Sequence, residues 1–126
     1  MLIFDTSAWI DYFQGSKRGE KVRAIIESEE KIGTPSIVLF EFAAKASLVG
    51  IDVKNHIDFI KQRSSILSLD ENLVFPTGKI YAKFREQNKK ISLPDCMIIA
   101  TAERINSKIV TCDLDFKDVN NVLLIK

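Results

Sequence analysis

The sequence predicts an α/β fold, a three-layer α/β/α sandwich around a central parallel sheet. Three observations carry that expectation. Short apolar runs, such as Leu2 to Phe4 and IVTC at 109–112, alternate with longer segments of helical periodicity. Those segments are long enough for right-handed crossovers, which pair strands in parallel and cover both faces of the sheet. At 126 residues, with no Gly/Ser linker, repeat or low-complexity tract, residues 1–126 read as one domain with one core.

The first strand is LIFD (2–5), an apolar run that stops on an acid. A helix follows from Thr6 or Ser7, with Ala8, Trp9, Tyr12 and Phe13 as its apolar positions, and Gly15 closes it. GEKVRAIIESEE (19–30) has Val22, Ile25 and Ile26 at helical spacing, and KIGT leads a short strand to Pro35. Ser36 is a suitable N-cap for a helix running to Gly50, and Asp52 caps another through about Ser64. ILSL (66–69) is strand-like. Asp70 then caps a long helix up to about Lys90, which Pro76 must kink or split. LPDCMIIATAERIN (93–106) is a helix with proline in its first turn. KIVTCD (108–113) is a buried strand, and NVLLI (121–125) is the last.

Composition excludes several classes. An apolar fraction of 46% and a charged fraction of 28% argue against disorder. Eighteen Lys and Arg against 17 Asp and Glu leave a net charge of +1, so any site for a polyanion must be local. The N-terminus lacks the pattern of a signal peptide, and no apolar run reaches membrane-spanning length, so a cytoplasmic chain with no membrane partner is expected. Cys96 and Cys112 lie in apolar stretches without zinc-ligand spacing and read as buried, reduced and structural.

The acids are the informative residues. In an open parallel sheet, ligands bind outside the carboxyl ends of the strands, and Asp5 and Asp113 each end a strand there. Chain geometry leaves Asp95 open, because LPDC follows a helix and not a strand. Glu41 stands among apolar residues in IVLFEFAAKASL, where a charge is costly unless partnered. A pair with Lys45 at i,i+4 would satisfy it as a surface residue. Each acid also has a local alternative: Asp5 as a helix cap, Asp95 as a favourable charge at a helix start, Asp113 as a turn residue. Gathered at one edge they would repel, by roughly 4 kcal/mol for two charges about 4 Å apart at an effective dielectric of 20. A hard divalent cation, Mg²⁺ or Mn²⁺, would offset this and suit phosphodiester hydrolysis.

Asp5 in FDTSAWIDYF, Glu41 in SIVLFEF, Asp95 in LPDCMIIATA, and Asp113 with Asp115 in IVTCDLDF resemble the acidic signature of PIN-domain nucleases in the short VapC-type toxin form. The resemblance spans nearly the whole chain. It implies a Mg²⁺- or Mn²⁺-dependent endoribonuclease, the toxin of a type II toxin–antitoxin pair, acting on RNA as a homodimer and held by a VapB-type antitoxin. It implies that Asp5, Glu41 and Asp95 form the metal centre, which would also bring Asp95 to the common edge, and that Asp113 completes or water-bridges a second, weaker metal site. Asp115 corresponds to a more variable accessory acid. Thr6, Ser7 and Thr111 correspond to hydroxyls that orient the carboxylates, although helix capping and β-propensity are ordinary uses of the same residues.

Away from the acids, Lys79, Lys83 and Lys90, with Lys89 beside them, would share a helical face, and Lys17 and Arg18 follow the first helix; either group suits RNA backbone or plain solvation. Most aromatics should be core, with Trp9 or Phe13 as candidates for dimer or antitoxin contacts. His56 is expected at the surface, away from the acids. Two other functions compete: a catalytically silent PIN-like module binding RNA or protein, and a phosphoacceptor receiver or phosphatase. The receiver is disfavoured because Asp5 has no acidic neighbour and Lys108 precedes its strand.

Overall fold

The computed structural model describes residues 1–87 and 90–126. Its strands are β1 (Leu2–Phe4), β2 (Ile32–Pro35), β3 (Ser65–Leu67), β4 (Lys108–Thr111) and β5 (Val122–Leu124). They form one sheet in the order β3-β2-β1-β4-β5, with every pairing parallel. Helices α1 (Thr6–Gln14), α2 (Lys17–Ile26), α3 (Ser36–Leu48), α4 (Val53–Arg63), α5 (Val74–Glu86) and α6 (Leu93–Arg104) complete the α/β/α sandwich.

The strand order positions the site. From β1 the chain builds outward through β2 to β3, then returns to place β4 on the other side of β1, in the register Ile3 to Ile109 and Phe4 to Val110. The direction of winding therefore reverses between β1 and β4, the place at the strands' carboxyl ends where open parallel sheets bind ligands. Asp5 and Asp113 stand just beyond those ends.

Trp9, fully buried, organises the core beneath α1. Its ring lies 5.0 Å from Phe4 and 6.1 Å from Phe13 between centroids. Its Nε1–H donates to Thr34 Oγ1 at 3.2 Å, and Thr34 and Ser64 hydroxyls lie 2.8 Å apart. Ser64 commits its one proton to the Ile60 carbonyl at 2.7 Å, so Thr34 donates to Ser64. The polar atoms of Trp9, Thr34 and Ser64 are thus bonded in a fixed direction.

Several boundaries differ from the sequence expectations, each for a tertiary reason. The second helix starts at Lys17, where Ser16 Oγ accepts from the Gly19 N–H at 3.0 Å, and it ends at Ile26 and not near residue 30. Arg63 draws it to a close, its guanidinium donating to the carbonyls of Ile26, Ser28 and Glu30. Ser36 caps nothing: α3 follows Pro35 without a side-chain cap, and the Ser36 hydroxyl accepts from the Leu69 N–H. Asp70 caps only a 3₁₀ turn, Glu71–Leu73, through the Asn72 N–H at 2.9 Å. The helix anticipated from there is split, and Pro76 falls in the first turn of α5, where its missing N–H leaves no helical bond unmade.

Gly15 adopts φ 68° at the end of α1, and its N–H returns to the carbonyls of Asp11 and Tyr12. Gly19 has another purpose: a Cβ there would lie 2.0 Å from the Asp11 carbonyl oxygen, so α1 and α2 meet backbone to backbone. Gly19→Ala is expected to destabilise by about 1–3 kcal/mol, since neither backbone can yield freely. A urea midpoint unchanged by the substitution would contradict that packing.

Candidate active site

Asp5 is buried and terminates β1 while serving as N-cap of α1. Its Oδ1 accepts from the Ala8 N–H at 3.1 Å and from the Ser7 hydroxyl at 2.7 Å. Its Oδ2 accepts from the Thr111 hydroxyl at 2.6 Å. The capping alternative is therefore true of Asp5, yet it accounts for one oxygen only. Thr111 ends β4, its Oγ1 also accepting from the Asp113 N–H at 3.0 Å, and Ser7 Oγ accepts from the Cys112 N–H at 2.9 Å. Asp113 Oδ1 in turn accepts from the Asp115 N–H at 2.9 Å.

Glu41 is half-buried on α3 and accepts from the Thr6 hydroxyl at 2.7 Å, which ties it to the residue after Asp5. None of the described ion pairs joins it to Lys45. Asp95 stands in the first turn of α6 in a capping box, its Oδ2 accepting from the Ser92 N–H and its own N–H donating to Ser92 Oγ.

The electrostatics tie these groups together. Burial pushes the Asp5 carboxyl up to about 6, the Thr111, Ser7 and Ala8 donors oppose the rise, and the Asp113 charge adds to it. Burial also raises Asp95, against the Ser92 hydrogen bonds, and the charges of Asp113 and Glu41 raise it further. Asp113 thus acts on both Asp5 and Asp95. None of the described ion pairs engages Asp5, Glu41, Asp95 or Asp113, so no protein cation among them offsets the mutual repulsion.

Among the described residues, the side chains hydrogen-bonded to Asp5 and Glu41 offer oxygen only. His56 is on α4, half-buried and not at the surface as expected, with its ring 4.2 Å from Phe13 and its buried Nδ1 lacking a hydrogen-bond partner. The thiols are neutral near pH 7: burial pushes Cys96 up to about 11, and burial with Asp11 pushes Cys112 up to about 12. The donor chemistry suits a hard cation, and Asp5 Oδ2 retains a lone pair beyond its Thr111 bond. Yet among the described residues no three such side chains converge into a ready-made cation cage.

Other expectations sort clearly. Trp9 is fully buried and so makes no surface contact, whereas Phe13 borders an apolar groove of about 210 Å³ with Ile10, Phe42 and Ile51. Phe40 is exposed and Phe42 is core. Lys79 and Lys83 are exposed on α5, but α5 ends at Glu86, so Lys90 does not share their face; Lys89 lies outside the described residues. Arg18 pairs with Asp11 at 3.6 Å. Asp11 was missed in the sequence: it is buried beside Cys112 and accepts from Ser16 Oγ at 2.7 Å. An acid inside the aromatic run WIDYF was the available signal.

A family model described as PIN domain matches residues 2–122. The chain belongs to the PIN-domain family. Within it, this PIN domain is 31% identical over 123 residues to ribonuclease VapC11 of Mycobacterium tuberculosis and to VapC ribonuclease Mb1587 of Mycobacterium bovis, covering 92% of this chain and 89% of each relative. Its backbone superposes on Mycobacterium tuberculosis VapC20, a sarcin–ricin-loop-cleaving toxin, with TM-score 0.80, 15% identity and full coverage of both chains. A toxin–antitoxin complex from Klebsiella pneumoniae gives TM-score 0.75 at 20% identity over 100% of this chain and 98% of the other. VapBC2 of Rickettsia felis, bound to promoter DNA, gives 0.76 at 19% over 98% and 96%. The resemblance read from the acidic motifs and the α/β/α architecture are both confirmed.

Proposed function

We propose that this PIN domain is a metal-dependent endoribonuclease, the toxin of a type II toxin–antitoxin pair, hydrolysing RNA phosphodiester bonds at an edge held by Asp5, Glu41, Asp95 and Asp113. The observation that supports the reading is the electrostatic coupling of acids at this edge, Asp113 raising both Asp5 and Asp95 and Glu41 raising Asp95, with none of the four joined to a cation in the described ion pairs. The names of the 31% identical relatives support the ribonuclease activity, and the complexes among the structural neighbours support a VapB-type antitoxin as partner. A homodimer is the assembly proposed with it.

Mg²⁺ or Mn²⁺ fits the donor set, with Asp5, Glu41, Asp95 and Asp113 as its holders; when bound, it would supply charge neutralisation at the phosphate and an acidified water. The chain's own contribution is orientation. Ser7 and Thr111 fix the Asp5 carboxylate through both oxygens, and Thr6, the next residue, donates its hydroxyl to Glu41. Asp115 donates its backbone N–H to Asp113 and has a supporting place.

The lack of a ready-made cage among the described residues favours a second reading, a catalytically silent module that binds RNA or protein. One experiment separates the two. Purified, antitoxin-free protein incubated with mixed structured and single-stranded RNA is expected to cut in Mg²⁺ or Mn²⁺ and not in EDTA, and Asp95→Asn is expected to lose cutting. RNA binding by a folded protein without cleavage under either metal would favour the silent module.

A further inference from the structure

We propose that Arg18, braced by the buried Asp11 carboxylate, is a phosphate-binding residue that holds the RNA backbone beside the acidic edge. The proposal rests on RNA as the substrate, as read above, and names a residue that grips it away from the acids.

Asp11 is buried on α1, where an anion is costly unless partnered. Its Oδ1 accepts the one proton of the Ser16 hydroxyl at 2.7 Å and lies 3.6 Å from Arg18 Nε. The pair runs from inside to outside, the Asp11 side chain being 11% exposed and that of Arg18 47%. The backbone on either side of Arg18 is fixed as well. Ser16 Oγ accepts from the Gly19 N–H at 3.0 Å, and Gly19 brings the first turn of α2 so near α1 that a Cβ there would lie 2.0 Å from the Asp11 carbonyl oxygen.

Two features separate Arg18 from a plain structural partner. Each of the other four arginines spends a terminal nitrogen inside the protein: Arg23 on Glu20, Arg63 on the carbonyls of Ser28 and Glu30, Arg85 on the Ile91 carbonyl and Arg104 on Asp70. Among the described residues, Arg18 meets Asp11 through Nε, and no hydrogen bond takes its terminal nitrogens. That leaves a planar fork of donors for a phosphate. Arg18 also stands against its own helix: with Lys17 it occupies the first turn of α2, where the helix dipole disfavours cations. A charge so placed costs stability, as expected where it serves a ligand.

The pair reaches the end of β4. Cys112 lies between Thr111, the last residue of that strand, and Asp113. Burial and the Asp11 charge push its thiol up while Arg18 opposes them, so both charges act one residue from Asp113. Arg18 takes a phosphate neighbouring the one that is cut, and Asp11 is its positioning residue.

Binding of a fluorescent single-stranded oligouridylate in EDTA, titrated across salt, tests this together with cleavage kinetics in Mn²⁺. Arg18→Gln should bind the RNA about tenfold more weakly at low salt, the worth of one charged hydrogen bond, and flatten the salt slope by about 0.7, the share of one phosphate on a single strand. In cleavage, its KM should rise about tenfold and its kcat fall far less. Arg18→Lys, which keeps the charge, should restore the slope. Asp11→Asn removes a negative charge, which by charge alone would tighten RNA binding; the lost brace should instead weaken it, by about threefold. A merely structural pair would lower the Tm of the variants and leave the slope and KM as in the parent. That result, from a parent that cuts RNA, would overturn the proposal and spare the nuclease reading. A parent that neither binds nor cuts RNA would overturn both.

Discussion

Asp5→Asn is expected to abolish RNA cleavage, by on the order of 10³-fold or more, and to make the metal-free protein more stable at pH 7.5. The first effect follows from removing a charged holder of the proposed cation; 10³-fold is about 4 kcal/mol of transition-state stabilisation. The second follows from burial. The folded carboxyl is pushed from 3.8 up to about 6, chiefly by desolvation, so folding must accommodate an anion that water holds more favourably. Between about pH 4 and pH 6 the folded state binds more protons than the unfolded state, so this group's contribution to stability falls as pH rises through that window. Above pH 6 the full cost remains, roughly 3 kcal/mol at about 1.4 kcal/mol per unit. Asparagine keeps a carbonyl for Ala8 and Ser7 but places an amide opposite Thr111, so a net gain of about 1–3 kcal/mol is expected. Urea unfolding of both proteins in EDTA at pH 4 and pH 7.5 checks the sign: the curves should nearly coincide at the lower pH and separate at the higher. A variant no more stable than its parent at pH 7.5 would mean that Asp5 is not held as an uncompensated anion.

Trp9→Ala should be the most damaging single change to the fold. The side chain is the largest of those fully buried, and it touches Phe4, Tyr12, Phe13 and Phe59. Truncating a buried Trp costs about 3–5 kcal/mol, a large part of the 5–15 kcal/mol that holds a domain of this size together. Trp9→Phe isolates the polar part, because it preserves most of the apolar volume and removes the Nε1–H donor to Thr34. That change should cost about 1–2 kcal/mol. Denaturant midpoints for the two variants test the division, and equal losses would show that the hydrogen-bonded chain to Ser64, and not packing, dominates at this position.

Asp5 and Trp9 lie four residues apart on one turn and act in opposite directions. Trp9 is expected to stabilise the fold, whereas burial of the Asp5 carboxylate is expected to cost stability at neutral pH. Such a conflict between neighbours is expected where a chain keeps a functional group that its fold would be more stable without.

Much of this was legible in the residues. LIFD and KIVTCD name two strands that end on acids, because a buried parallel strand is a short apolar run whose carboxyl end meets solvent. The motifs around Asp5, Glu41, Asp95 and Asp113 were sufficient to indicate the PIN-domain family, since their order is a property of the chain alone. What no window of sequence contains is which atoms meet. Whether Glu41 pairs with Lys45 or with Thr6 depends on how α3 lies against α1, and the 2.7 Å bond to Thr6 spans 35 positions. His56 and Arg63 were misread or unread for the same reason. One packs on Phe13, and the other ends α2 from 37 residues away.

Local pattern by itself determined the alternation of strands and helices, the acids at strand ends and the family, because periodicity and motif order are written along the chain. Only the tertiary structure decided that β1 and β4 are neighbours, that Thr111 therefore reaches Asp5, and that Asp113 is near enough to raise both Asp5 and Asp95. Strand pairing and burial set those outcomes, and both are relations between distant segments that exist only once the sheet has closed.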